Sequence, residues 1–272
     1  MIESIILGLL QGLAEFLPIS SSGHLVLGEH ILNMHEAGIL FDVMLHVGTL
    51  AAVVLVFRKK LWKMCVGIVK RDKNELRDVL YIILASIPTA LIGLGFKDAI
   101  EGLFENPRAV CVALLVTGSF LFLTKYARTG ANHPENPGIE MNWWRAILTG
   151  FVQGIACIPG ISRSGSTISA MLFMGVNRKY AGEFSFLMSL PAVGGAALLE
   201  LKDFLECRGS IATECAAMGS FSLALIAGMI VAFISGIFAL KWLLKFVQEG
   251  KLHYFAYYVW LVGILGLIFI KG

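Results

Sequence analysis

Gly8 to His24 reads GLLQGLAEFLPISSSGH, and Gly150 to Ser166 reads GFVQGIACIPGISRSGS. Laid together without a gap, at an offset of 142 positions, the two stretches agree at Gly8/Gly150, Gln11/Gln153, Gly12/Gly154, Ala14/Ala156, Ile19/Ile161, Ser20/Ser162, Ser22/Ser164 and Gly23/Gly165. These are 8 identities in 17 positions, where average composition would give about one. The chain is therefore read as two related halves. The copies differ where chemistry resides: Glu15 faces Cys157, Ser21 faces Arg163, and His24 faces Ser166. One copy carries an acid and an imidazole, the other a permanent cation.

Each copy sits in a short apolar helix that a Pro/Ser/Gly run interrupts. Residues 2–16 are apolar up to Pro18 and the SSSG run, about 15 residues where a bilayer crossing needs roughly 20. A second apolar piece, residues 24–32, follows at once. A short helix, a break and another short helix predict a re-entrant hairpin. Irregular backbone is tolerated at membrane depth only where protein or a wet cavity covers it. Both breaks are therefore expected to line a site.

Composition sets the class. Of 272 residues, 57% are hydrophobic and 15% charged, with a mean hydropathy of +0.78. A soluble domain has about 45–50% apolar and about 25% charged residues, so the chain reads as an all-α integral membrane protein. No polar body is left for a protein that merely lies on a membrane. A net charge of +3 without a groove-reading module excludes nucleic acid as a partner. Cys65, Cys111, Cys157, Cys207 and Cys215 form no CxxC or Cys/His cluster, which argues against structural zinc. The opening MIESIILGLL has Glu3 where a signal peptide carries basic residues, so it is expected to belong to the mature fold.

Six spans are expected besides the two hairpins: residues 40–57, 79–96, 109–126, 184–200, 220–242 and 253–270. The segment 58–78 holds eight Lys/Arg, which by the positive-inside rule makes it cytoplasmic. The polar linker 127–142 is expected on the same side, dividing a first repeat (1–126) from a second (143–272). Loops 97–108 and 201–219 then lie outside. Cys207 and Cys215 share the latter, where an oxidising compartment would permit a disulfide. Three spans per half is an odd number, so the second half enters the membrane from the opposite side. Such inverted repeats bind ligands near the midplane, where broken helices meet.

Arg163 lies in apolar surroundings, where even low estimates put the cost of a central charge at about 2.5–3.5 kcal/mol. Two readings are open: an ion pair with Glu15, or an anionic ligand that suits a planar guanidinium. Ser20, Ser21 and Ser22 precede one short helix, and Ser162, Ser164, Ser166 and Thr167 another. Some of these hydroxyls are helix caps, but seven exceed what two caps need. Two helix N-termini with added hydroxyls make an anion cradle, and several donors beside an arginine favour phosphate over carboxylate. Gln11 and Glu15 share one helical face. Glu15 reads as a general base, as a ligand for a divalent ion, or as a carboxylate reaching for water. His24 reads as a nucleophile, as a base for a serine, or as a satisfied polar residue. Asp42 and His46, one turn apart, read as a structural pair. The Gly8/Gly12 and Gly150/Gly154 spacings read as close helix contacts.

These residues resemble the bacterial undecaprenyl-diphosphate phosphatases of the bacitracin-resistance (BacA/UppP) type, over essentially the whole chain. Two motifs carry the resemblance: Gln11-Gly-Leu-Ala-Glu15 with Pro18-Ile-Ser-Ser-Ser-Gly-His24, and Pro159-Gly160-Ile-Ser162-Arg163-Ser164-Gly165-Ser166-Thr167. The resemblance implies hydrolysis of undecaprenyl diphosphate to the monophosphate in the bacterial plasma membrane, with the site facing outside. That reaction recycles the lipid carrier of peptidoglycan synthesis and confers bacitracin resistance. The resemblance also implies a divalent cation (Mg2+ or Ca2+) near Glu15, and a homodimer. It puts the family's functional positions on Glu15, Ser21, His24, Ser162, Arg163 and Thr167. Of these, Glu15, Ser21, His24 and Arg163 are expected in the chemistry, and the cradle reading adds Gln11, Ser20, Ser22 and Ser164 to Ser162 and Thr167 around the substrate. Many members carry Glu where this chain has Gln11, which concentrates the acid chemistry on Glu15. The rival reading is a polyprenyl-phosphate flippase, since broken-helix inverted repeats are also a transporter architecture.

Overall fold

The computed structural model describes residues 2–32, 39–127, 138–207 and 223–270. Among them every regular element is a helix, and a single parallel bridge joins Ile139 to Val176. The first hairpin is α1 (Ile2–Ala14) and α2 (Ser21–Leu32). After it come α3 (Ile39–Val56), α4 (Arg58–Lys70), α5 (Lys73–Gly95), α6 (Lys97–Phe104) and α7 (Pro107–Leu123). The second hairpin is α8 (Trp143–Ile155) and α9 (Arg163–Phe173), followed by α10 (Arg178–Cys207), α11 (Leu223–Gln248) and α12 (Phe255–Phe269).

Five described helices are long and apolar enough to cross a bilayer: Lys73–Gly95, Pro107–Tyr126, Arg178–Leu199, Leu223–Gln248 and Leu252–Phe269. The sixth expected span corresponds to α3, whose apolar run, Val43–Val56, is shorter and stands with Ile2–Ala14. Several boundaries move from the sequence expectation. The basic segment after residue 57 is helical. It forms α4, which packs on α5 through Met64 and Gly67 and is tied there by Lys60 to Asp78 at 2.7 Å and Lys63 to Glu75 at 2.7 Å. The next span consequently starts at Lys73, with Asp72 accepting the first-turn N–H groups of Asn74 and Glu75. Residues 97–104 form α6, and α10 extends past both expected ends of its span. The Cys207–Cys215 pairing falls outside the described residues.

The two hairpins pack reciprocally. α1 lies along α11 of the second half, and α8 along α5 of the first. The glycine pairs make both contacts. A methyl group on Gly8 would run into the Gly228 carbonyl, and one on Gly12 would come within 2.5 Å of the Ala232 carbonyl oxygen. On the other side, Gly150 faces the Ala85 carbonyl and Gly154 the Ile92 side chain. Without side chains the helix backbones approach closely, and dispersion replaces the hydrophobic drive that lipid cannot supply. α2 and α9 both lean on α7, and α9 also on α10. Phe16, at the turn after α1, is fully buried and meets Phe186 of α10 edge-on at 5.7 Å. That contact brings the first break into the core beside the second.

Candidate active site

Both breaks end in a capped helix. Ser20 adopts a left-handed backbone conformation (φ 69°), uncommon for a residue with a Cβ. Its Oγ accepts the Gly23 N–H at 3.2 Å, so α2 starts at Ser21, three residues before the expected position. Ser162 does the same for α9: its Oγ accepts the Gly165 N–H at 3.1 Å, and the helix opens at Arg163, so Ser164, Ser166 and Thr167 lie within it rather than before it. The second break is held from α7. Thr117 Oγ1 donates to the Gly160 carbonyl at 2.9 Å and accepts the Ser162 N–H at 3.0 Å. Gly160 has φ 91°, and a side chain on it would strike Val110.

The two helix starts meet at Glu15. Arg163, first residue of α9, donates from Nη2 to Glu15 Oε1 at 2.6 Å. Ser21, first residue of α2, donates to Glu15 Oε2 at 2.6 Å. Gln11 Nε2 adds a third donor to Oε2 at 3.1 Å. The carboxylate is nearly enclosed, with 8% of the side chain exposed against 17% for Arg163. An isolated charge there would be costly, and each partner offsets that cost by bonding to the other at charge-assisted length. The Glu15 carboxylate thus occupies the point at which two helix N-termini, an arginine and a serine hydroxyl converge. That is an anion site holding the protein's own anion.

The other expected residues divide between this point and its supports. Ser164 Oγ donates to the Phe16 carbonyl at 3.0 Å and ties the second hairpin to the first. Ser22 reaches Ser20 Oγ at 3.4 Å. Thr167 Oγ1 bonds to the Arg163 carbonyl and to Ser185 Oγ, both at 2.7 Å. Ser20 and Ser162 are the caps. His24, 9% exposed, is bonded elsewhere: Nδ1 to the Ser20 carbonyl and Nε2 to the Tyr258 hydroxyl, each at 2.9 Å.

Two neighbours of the site were not legible as such. The expected pairing of Asp42 with His46 falls outside the described residues, but His46 itself reaches the site. Its Nδ1 lies 3.0 Å from Gln11 Nε2 and 3.8 Å from Glu15 Oε2. Gln11 N–H groups thereby bridge an imidazole and the carboxylate. Tyr258 comes from the last helix, 234 residues from His24, and no local pattern marks it. For a divalent cation the described residues offer no cluster of three His, Cys, Asp or Glu. The Glu15 oxygens are already taken up by Arg163, Ser21 and Gln11. These residues do not make a resident metal site.

With this geometry in hand, comparison with known proteins is decisive. The model of a family described as "Bacitracin resistance protein BacA" matches residues 4–265. The chain belongs to this family. Among its relatives, an undecaprenyl-diphosphatase of Alkaliphilus metalliredigens is 41% identical over 98% of both chains. One of Carboxydothermus hydrogenoformans is 42% identical, over 98% of this chain and 96% of that one. One of Treponema denticola is 43% identical, over 97% and 95%. For a member of the BacA family, both motifs that suggested the resemblance now have a location. They are the two capped helix starts that converge on Glu15.

Proposed function

We propose that this chain hydrolyses undecaprenyl diphosphate to undecaprenyl phosphate and inorganic phosphate, recycling the lipid carrier of cell-wall synthesis. One observation carries the reading: Ser21, hydrogen-bonded to Glu15 at 2.6 Å, sits beside Arg163 at the meeting of two helix starts. That is an activated nucleophile, its base and an oxyanion partner in one place. The names of the relatives support the same activity, and none of these three is named a flippase.

In the reaction the terminal phosphoryl group competes with Glu15 for Arg163 at the point where α2 and α9 begin. Glu15, released from Arg163, takes the Ser21 proton as Oγ attacks the terminal phosphorus. The bond from phosphorus to the bridging oxygen breaks, and undecaprenyl phosphate leaves with that electron pair. Water then attacks the phosphoserine. His24 Nε2 takes the water's proton, the phosphorus–Oγ bond breaks, and Glu15 returns its proton to Ser21. Ser162, Ser164 and Thr167 hold the second break in shape, while Gln11 orients Glu15. The divalent cation, Mg2+ or Ca2+, that the family resemblance implies is assigned to the substrate, as the diphosphate's own counter-ion. An inverted repeat accounts for the exchanged packing of α1 on α11 and α8 on α5. The plasma membrane, a site open to the outside and a homodimer follow from the family resemblance.

The experiment is phosphate release by purified protein from undecaprenyl diphosphate labelled on its terminal phosphorus. Wild type is expected to release label, and His24→Gln to stop with label on Ser21. If wild type releases none, the enzyme reading is lost. If His24→Gln is slow but carries no label, water attacks directly and the serine step is wrong.

A further inference from the structure

His24 is held by both ring nitrogens. Nδ1 faces a backbone carbonyl, the Ser20 oxygen at 2.9 Å, and a carbonyl can only accept. Nδ1 therefore carries the ring proton, and Nε2 keeps its lone pair. That lone pair accepts from the Tyr258 hydroxyl at 2.9 Å. The two rings are nearly parallel, with centroids 5.6 Å apart and planes 10° from one another.

The contact is built from both sides on one support. α2, which carries His24, and α12, which carries Tyr258, both pack on α7. Two residues beyond Tyr258, Trp260 Nε1 donates to the Leu115 carbonyl of α7 at 3.2 Å. Its indole lies over Gly118, where a methyl group would come within 2.6 Å of Nε1, and Phe122 packs against it at 5.3 Å. The backbone at Tyr258 is thus set by anchored neighbours. The tyrosine itself is 45% exposed, so its hydroxyl can leave Nε2 and return by side-chain rotation, with no helix moving.

We propose that Tyr258 is a positioning residue for this reaction: its hydroxyl fixes the plane of the His24 ring and holds the place on Nε2 that water takes during turnover. The inference rests on His24 acting as the base of the second step. Without the hydroxyl, the imidazole is fixed only at Nδ1 and can tilt about that bond, so its lone pair points at the attacking water for a smaller fraction of the time. Binding of the lipid diphosphate does not pass through Tyr258, so affinity is spared.

The test uses the full chain in detergent with a prenyl diphosphate. Tyr258→Phe keeps the stacked ring and removes one half-exposed oxygen, so the melting temperature should match wild type. Its kcat should fall about tenfold or more, the usual loss when an orienting partner is removed. KM should fall with it, leaving kcat/KM within about twofold, because only the second step is slowed. The same change added to His24→Gln should cost nothing further, because interacting residues are non-additive. A Tyr258→Phe enzyme with wild-type kcat overturns the proposal. So does an equal loss in both backgrounds, or a raised KM at unchanged kcat. A fully active His24→Gln protein removes the underlying role of His24, a result distinct from those three.

Discussion

Glu15 fills the anion site it helps to build, so replacing it should separate binding from catalysis. In Glu15→Gln the Arg163 Nη2 loses the charged partner it holds at 2.6 Å, and Ser21 loses its base. A hydrogen bond to a charged group contributes about 1.5–3 kcal/mol. In wild type an incoming diphosphate must displace that bond before it can use Arg163. A neutral amide at position 15 gives most of it back, which corresponds to roughly 10- to 100-fold tighter binding of a non-hydrolysable prenyl methylenediphosphonate. Removal of the general base works the other way, lowering kcat by about 100-fold or more. Apo stability should also fall, since breaking a buried ion pair strands one charge. The cost stays below that of a wholly buried pair, because Arg163 keeps 17% exposure. Calorimetric titration with the analogue, a melting curve with and without it, and phosphate release give three independent readings. The expected pattern is tighter binding, a larger ligand-induced rise in melting temperature, and little turnover. Weaker binding in Glu15→Gln would refute the reasoning. It would mean that the carboxylate assists the diphosphate, through a cation held between them, and does not compete with it.

Two further outcomes test the frame around the site. Gly150→Ala puts a methyl group against the Ala85 carbonyl and disturbs the Thr89 hydroxyl bond to the Gly150 carbonyl, now 3.0 Å. Overpacking usually costs about 1–3 kcal/mol, and rigid backbone places this change at the upper end. The melting temperature and phosphate release should both drop, while Gly195→Ala, which meets nothing within 4 Å, should leave both unchanged. Lys60, on α4, tests pH dependence. Burial alone would lower its pKa, but the hydrogen bond and charge of Asp78, with Glu75, outweigh this and hold it above its ordinary value. A pKa raised in the folded state adds stability in full below the unfolded lysine value, about 10.4, and loses it as pH climbs through the raised one. Lys60→Met should therefore melt earlier at pH 8, by an amount equivalent to about 1 kcal/mol, with the gap closing as pH rises through the raised value. A gap that does not depend on pH would assign the loss to packing.

Much of the site could be read before any fold was known, because it is written twice. Comparison of the copies picked out Glu15, Ser21 and Arg163 as differences, and these are the three groups that meet at 2.6 Å. The glycine pairs were legible for a related reason: a spacing of four residues fixes one helical face whatever lies opposite. Helix starts were less so. α2 and α9 open at Ser21 and Arg163, because Ser20 and Ser162 cap them, and a run of three serines does not say which one caps. The basic segment after Phe57 is predicted cytoplasmic by its charge, but charge does not give its secondary structure. It is helical because Met64 and Gly67 find α5 and the lysines find Glu75 and Asp78.

What the sequence determined by itself is whatever depends on local pattern or composition: helices in lipid, two broken ones, and an acid and a cation allotted to different halves. Which groups touch was left to the tertiary structure. Gln11 could have bonded anywhere, yet it reaches His46 from α3. Nothing near His24 names Tyr258, which arrives from the far end of the chain on a helix pinned to α7. The physical reason is that side-chain hydrogen bonds are short and directional. Helical periodicity fixes a residue's face, but only the packing of helices against one another brings two faces within 3 Å.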